Sequence, residues 1–186
     1  VKFNKHSELE GQHSVLSPSK YHWINYSPEK FAVFVRTRLA TQRGTELHEF
    51  ASTAIRLGQK LSNKQDTLNK YVNDCIRFQM TPEVLLFYSF NAFGSADAIS
   101  FRNNELRIFD LKTGSSRTSF NQLMCYVALF CLEYKIKPAT IFIELRIYQE
   151  GEIQVFEPPL EEIERIMHKY VAFDELMNKI AEEEVL

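Results

Sequence analysis

The sequence predicts an α/β protein: a central mixed β-sheet flanked by α-helices. Three observations carry this. Helix-period patterns fill the chain up to residue 80, short strand-like runs follow between 81 and 156, and one strongly apolar helical segment, 120–134, interrupts those runs. The centre therefore reads strand–strand–strand–helix–strand, with helices before and after, which calls for a mixed sheet.

Each element has its own signal. Residues 1–16 are polar and mixed and read as a loose arm. Ser17-Pro18-Ser19 opens a short helix, with Ser17 as N-cap and Pro18 in the first turn. Ser27-Pro28-Glu29 repeats that start for a helix over 28–40. Leu47, Phe50, Ala51, Ala54 and Leu57 recur at three- and four-residue steps, predicting a helix over 43–60, and Leu68, Tyr71, Val72 and Cys75 predict another over 65–78. After Thr81-Pro82 come strands at 84–90 and 96–101, a hairpin turn at Arg102-Asn103-Asn104-Glu105, and an alternating strand at 106–111. Strands at 140–148 and 153–156 turn about Gly151, and a last helix covers 160–183. No repeat or low-complexity linker appears. One domain over 17–186 is expected, with a helical part (17–80), a catalytic sheet and helix (81–156) and an acidic C-terminal helix (157–186).

Composition bounds the function classes. With 186 residues, 45% hydrophobic and 25% charged, the chain is ordinary globular protein, and its 15 Phe and 8 Tyr promise a well-filled core. It has no run of eighteen apolar residues and no signal-peptide core near its start, so no membrane partner is expected. The cysteines are Cys75, Cys125 and Cys131, odd in number and without a Cys-x-x-Cys pair. This argues against a disulfide framework or structural zinc and for a reducing cytoplasm. The net charge is -2, yet nine acidic and three basic residues fall in 157–186, which leaves 15 acidic and 19 basic residues in the remainder. A mildly basic body permits a nucleic-acid partner.

The chemistry-bearing stretch is Gly94-Ser95-Ala96-Asp97 followed by Phe109-Asp110-Leu111-Lys112-Thr113-Gly114. Asp97 follows a glycine turn at the start of a strand, and Asp110 ends the next strand. If the two form a hairpin, their carboxylates converge. Mg²⁺ and Mn²⁺ take such oxygen ligands, acidify a held water and offset charge on an attacked phosphate. Lys112, two residues after Asp110, shares its strand face and reaches the same water or phosphate. Taken alone, Asp110 and Lys112 also fit a surface ion pair, and Asp97 a turn cap.

Gly94-x-x-Asp97, then Asp110-x-Lys112-Thr113-Gly114, then Gln122-x-x-x-Tyr126 resembles the PD-(D/E)XK nuclease superfamily. Upstream, Gly44-Thr45-Glu46-Leu47-His48 is similar to the Gly-x-x-x-His setting of its RecB-like branch. The four motifs stand in the expected order over residues 44–126, and the small size is similar to stand-alone phage-type nucleases. The resemblance implies a restriction-endonuclease-like core and a metal-dependent nuclease. It implies Asp97, Asp110 and His48 as metal ligands, Lys112 as catalytic lysine, and Gln122 and Tyr126 as helix residues flanking the catalytic groups. The Leu111 backbone carbonyl is a further candidate ligand. Beside His48, Glu49 and, behind it, Glu46 are alternative acidic ligands. His48 and Tyr126 also fit ordinary core packing. Some members of the branch hold an iron–sulfur cluster on four cysteines; with three, no cluster is expected here.

A polyanionic substrate needs basic contacts. Candidates are Arg36, Arg38 and Arg43, and the polar loop Ser115-Ser116-Arg117, whose amides and hydroxyls would hold a phosphate at the start of the Gln122 helix. Tyr21, Trp23 and Tyr26 fit either base stacking or a core. The leading expectation is a Mg²⁺- or Mn²⁺-dependent DNA exonuclease of phage-type recombination or end processing, acting on linear ends and with a possible recombination partner protein. The rivals are a catalytically silent DNA-binding or scaffold protein of the same fold and a structure-specific endonuclease. Oligomeric state is open.

Overall fold

The computed structural model describes residues 14–62 and 66–184. The expected arm falls largely outside these residues, as does the expected helix start at 65. The chain divides into two compact units, 1–43 and 44–186.

In the first unit, Pro18–Asn25 is a 3-10 helix rather than an α-helix. Ser17 stands at its N-cap, but its hydroxyl pairs with Ser19 Oγ at 2.8 Å instead of capping the backbone. No residue of this segment is buried, so Tyr21 and Trp23 form no closed core. Ser27 does cap the next helix, accepting from the Lys30 N–H at 3.3 Å. That helix, α1, is continuous from Pro28–Arg56 and replaces the two helices expected at 28–40 and 43–60. Nothing between them stops a helix: Thr41-Gln42-Arg43-Gly44 lacks proline, and one glycine inside a helix is tolerated at about 1 kcal/mol.

The second unit holds the sheet. Its strands are β1 (Thr81–Ser89), β2 (Ala92–Arg102), β3 (Glu105–Leu111), β4 (Phe142–Gln149) and β5 (Glu152–Phe156), side by side in that order. All neighbours are antiparallel except β3 and β4, which are parallel and joined through α3 (Asn121–Tyr134). The predicted α/β class with a mixed sheet is therefore present. Asn103 and Asn104 both have positive φ, the geometry of a tight hairpin turn, and they set the β2–β3 register that pairs Ile99 with Ile108. Asp66 caps α2 (Thr67–Arg77), accepting from the Asn69 N–H at 2.9 Å.

Two cores sandwich the sheet. Leu106, Ile108, Leu145 and Ile147 pack with Leu123 and Val127 of α3 and with Ile163 of α4 (Leu160–Glu184). Phe109, Leu111 and Tyr148 pack with Tyr71, Val72 and Cys75 of α2 and with Ala51, Ala54 and Ile55 of α1. Cys131 belongs to the first core and Cys75 to the second.

Two strand boundaries correct the expectation. β1 begins at Thr81, running through Pro82, because β1 is an edge strand and can accommodate a proline. β2 begins at Ala92, so Gly94 is inside a strand opposite Leu86, not in a turn; Phe90, 89% exposed, is at the turn instead.

Candidate metal and catalytic site

The site lies where β2 and β3 part. Their pairing ends at Ala98 and Phe109, and one further step brings Asp97 opposite Asp110. There Asp97 replaces the ladder with its side chain: Oδ2 accepts from the Leu111 N–H at 3.1 Å. This register sets the two aspartates side by side, close enough for the Asp110 charge to act on Asp97, while the close ligand group is His48, Glu83 and Asp97.

Each motif residue is positioned by a packing requirement. Gly94 is a glycine because a Cβ there would meet the Tyr126 ring at 3.2 Å. Tyr126 both packs on the α3-side core and accepts from Gln122 Nε2 at 3.3 Å, so one side chain serves the core and the Gln122 contact. Gln122 Oε1 accepts from Lys112 Nζ at 3.0 Å, and Lys112 Nζ donates to Asp110 Oδ1 at 3.0 Å. A connected series thus runs from Gly94 through Tyr126, Gln122 and Lys112 to Asp110. On the other side, a Cβ at Gly44 would lie 2.9 Å from Thr113 Oγ1. Glycine lets α1 approach the loop after β3, and one turn later His48 Nδ1 stands 3.4 Å from Asp97 Oδ2.

The electrostatics are unbalanced. Asp110 is 3% exposed, and its Oδ2, though 3.0 Å from the Lys112 ammonium, makes no hydrogen bond. Burial first, and then the neighbouring Asp110 charge, pushes the Asp97 carboxyl up to about 6, against the lowering effect of His48. Glu83 adds a further carboxylate: ligand atoms of His48, Glu83 and Asp97 lie within 4.8 Å of one another.

Sequence reasoning missed Glu83. It lies opposite Asp97 in the β1–β2 register and has φ 53 within a strand, a conformation uncommon for residues other than glycine. The remaining positive-φ residues near strands and helices sit at turns and helix ends, so Glu83 is the departure. The only signal in the sequence is the Thr81-Pro82-Glu83 junction, which reads simply as the start of a strand.

The other candidates fall as follows. Leu111 gives its N–H to Asp97, and the Lys112 N–H donates to Tyr148 O of β4 at 2.9 Å. In a trans peptide the Leu111 carbonyl then points away from β4, toward the side of Asp97. Glu49 is exposed beside His48 in a groove of about 540 Å³, outside the close group that Glu83 completes; Glu46 is exposed too and does not line that groove. Ser115, Ser116 and Arg117 are exposed on a loop held by Gln149, whose Nε2 donates to Gly114 O at 2.5 Å and Ser116 O at 2.9 Å. α3 begins only at Asn121, so this loop does not form the helix N-terminus expected of it. Arg36, Arg38 and Arg43 belong to the first unit.

Among the described residues no helix is long and apolar enough to cross a membrane. No protein-family model, curated protein or solved structure matches the chain.

Proposed function

We propose that this chain is a divalent-metal-dependent nuclease that hydrolyses phosphodiester bonds of DNA, acting from strand ends in recombination or end processing. The observation that carries the reading is a buried carboxylate oxygen without a hydrogen bond, Asp110 Oδ2, next to a close His48–Glu83–Asp97 group. The motif resemblance to the RecB-like branch of PD-(D/E)XK nucleases supports it independently.

The donor set fits a hard cation. His48, Glu83, Asp97, Asp110 and the Leu111 carbonyl would hold Mg²⁺ or Mn²⁺, which prefer oxygen-rich sites. When bound, such a cation neutralises phosphate charge and makes a water easier to deprotonate.

The protein's own contribution centres on Lys112. An ammonium has three donors. Asp110 and Gln122 engage two of them, which leaves one for the attacking water or a phosphate oxygen. Hydrolysis joins a water oxygen to phosphorus and breaks an ester bond, and charge builds on the phosphate oxygens. Lys112 orients the water and offsets that charge. Gln122 and Tyr126 hold Lys112 in place, and Asp110 directs its ammonium.

Incubation with linear and circular DNA, single- and double-stranded, in Mg²⁺ or Mn²⁺ tests this reading. The wild type is expected to degrade linear DNA. Asp110→Ala should lower the rate by about 10³ or more, and Lys112→Ala by about 10²–10³. Equal rates in all three proteins would contradict the assignment. Cutting of circular DNA would replace end-directed action with endonuclease action.

A further inference from the structure

The groove beside the metal-ligand group is walled by one stripe of α1, formed by His48, Glu49, Ser52, Thr53 and Arg56, and faced by Glu83 of β1. These α1 positions recur at three- and four-residue steps, so they share one helix face. Two of them have no counterpart among the described residues. Ser52 is 5% exposed, and its hydroxyl is buried without a hydrogen-bond partner. Leaving a buried hydroxyl unpaired is costly, which marks it as a position that a ligand would satisfy. Arg56 is exposed at the last residue of α1 and has no carboxylate partner among the described residues.

Ser52 and Arg56 are one helical turn apart, roughly 6 Å along the axis. A hydroxyl and a guanidinium fork at that spacing are the donors that phosphate oxygens take. Arg56 lies roughly 12 Å along the axis from His48, a span of about three to four nucleotides at ~3.4 Å of rise each. We infer that Ser52 and Arg56 form a phosphate-binding subsite that grips the nucleic-acid strand away from the bond being broken. The identity of the ligand rests on the nuclease reading above. Glu49 and Glu83 give the same groove negative charge. The strand therefore enters it only when a divalent cation offsets the carboxylates, and binding at Arg56 depends on that cation.

Fluorescence anisotropy with a labelled single-stranded oligonucleotide of about 20 nucleotides, in Ca²⁺ and over a NaCl series, reads this out. Arg56→Ala should raise Kd about tenfold and reduce the salt slope by about one. Arg56→Lys should keep the slope while losing part of the affinity, because lysine keeps the charge but not the fork. Ser52→Ala should raise Kd several-fold with Tm unchanged or higher, since it removes an unpaired buried hydroxyl; a purely structural serine would instead lower Tm and leave Kd alone. Wild-type Kd and slope in Arg56→Ala would overturn the subsite and leave the nuclease reading standing. Arg56-dependent binding without cleavage in Mg²⁺ or Mn²⁺ would support the subsite and remove the nuclease reading. A wild type that does not bind the oligonucleotide at all would overturn both.

Discussion

Two clusters of charge stand on this sheet, and only one is closed. Around Asp74 each carboxylate faces a cation, although the Arg107 Nε, 3.7 Å from Glu144, is buried without a hydrogen bond. Tyr148 OH donates to Asp74 Oδ2 at 2.7 Å, Arg146 reaches the same oxygen at 3.2 Å, and Arg146 Nε donates to Glu144 at 2.8 Å. The Arg146 guanidinium also lies over the rings of Phe78 and Phe109, at 4.7 and 4.9 Å from their centres. At the β2–β3 fork, by contrast, Glu83, Asp97 and Asp110 face one ammonium and one imidazole, and Asp110 Oδ2 is left without a hydrogen bond. Equal burial would make both expensive to ionise. The first offsets that cost with cations and aromatic faces and reads as structure. The second has three carboxylates to one ammonium and is short of positive charge.

The sharpest way to break this contrast is to remove a charge from each cluster. The rate loss expected for Asp110→Ala should come without loss of Tm, because that change relieves repulsion with Asp97. Arg146→Ala should do the opposite. It takes the cation from Asp74, leaves Glu144 with Arg107 alone, and should cost about 2–3 kcal/mol of stability, a fall in Tm of roughly 5–10 °C by calorimetry, with activity per folded molecule retained. Arg146→Ala protein as stable as wild type would remove the distinction between the clusters.

The open cluster also predicts a pH dependence. Asp97 titrates near 6 in the folded protein, above its unfolded value of about 4. Its contribution to stability is therefore fully present below about pH 4 and is lost as pH rises through about 6. In EDTA, Tm should fall between pH 5 and pH 7.5. Asp97→Asn should flatten that fall, and Mn²⁺ should raise Tm more at pH 7.5 than at pH 5. A metal-free Tm that rises over this interval equally in wild type and Asp97→Asn would contradict the arrangement.

A smaller effect is expected from Gly44→Ala. Its Cβ would press on Thr113 and shift His48 by a few tenths of an ångström, lowering kcat/KM by about tenfold in a cleavage assay while the helix propensity gained leaves Tm nearly unchanged.

The legible parts of this fold are those with local chemistry. Asn103-Asn104 marks the β2–β3 turn, and strand alternation sets the register that joins Asp97 to Asp110. Gln122 and Tyr126, four apart, share a helix face, as their 3.3 Å contact shows. What escaped was set by distant partners. Gly94 reads as a turn because glycine usually marks one, yet here it makes room for a tyrosine from α3. Gly44 reads as a motif glycine at the start of a helix over 43–60, yet it lies in the middle of one continuous helix and faces Thr113. Glu83 joins His48 and Asp97 only through the antiparallel pairing of β1 with β2, which no short motif announces.

Calorimetric titration of metal-free protein with Mn²⁺ at pH 7.5 tests the central claim most directly. The account predicts saturable binding that Asp97→Asn and Glu83→Gln each weaken at least tenfold and that Asp74→Asn leaves unchanged. Binding equally strong in all four proteins, or weakened only by Asp74→Asn, would contradict it.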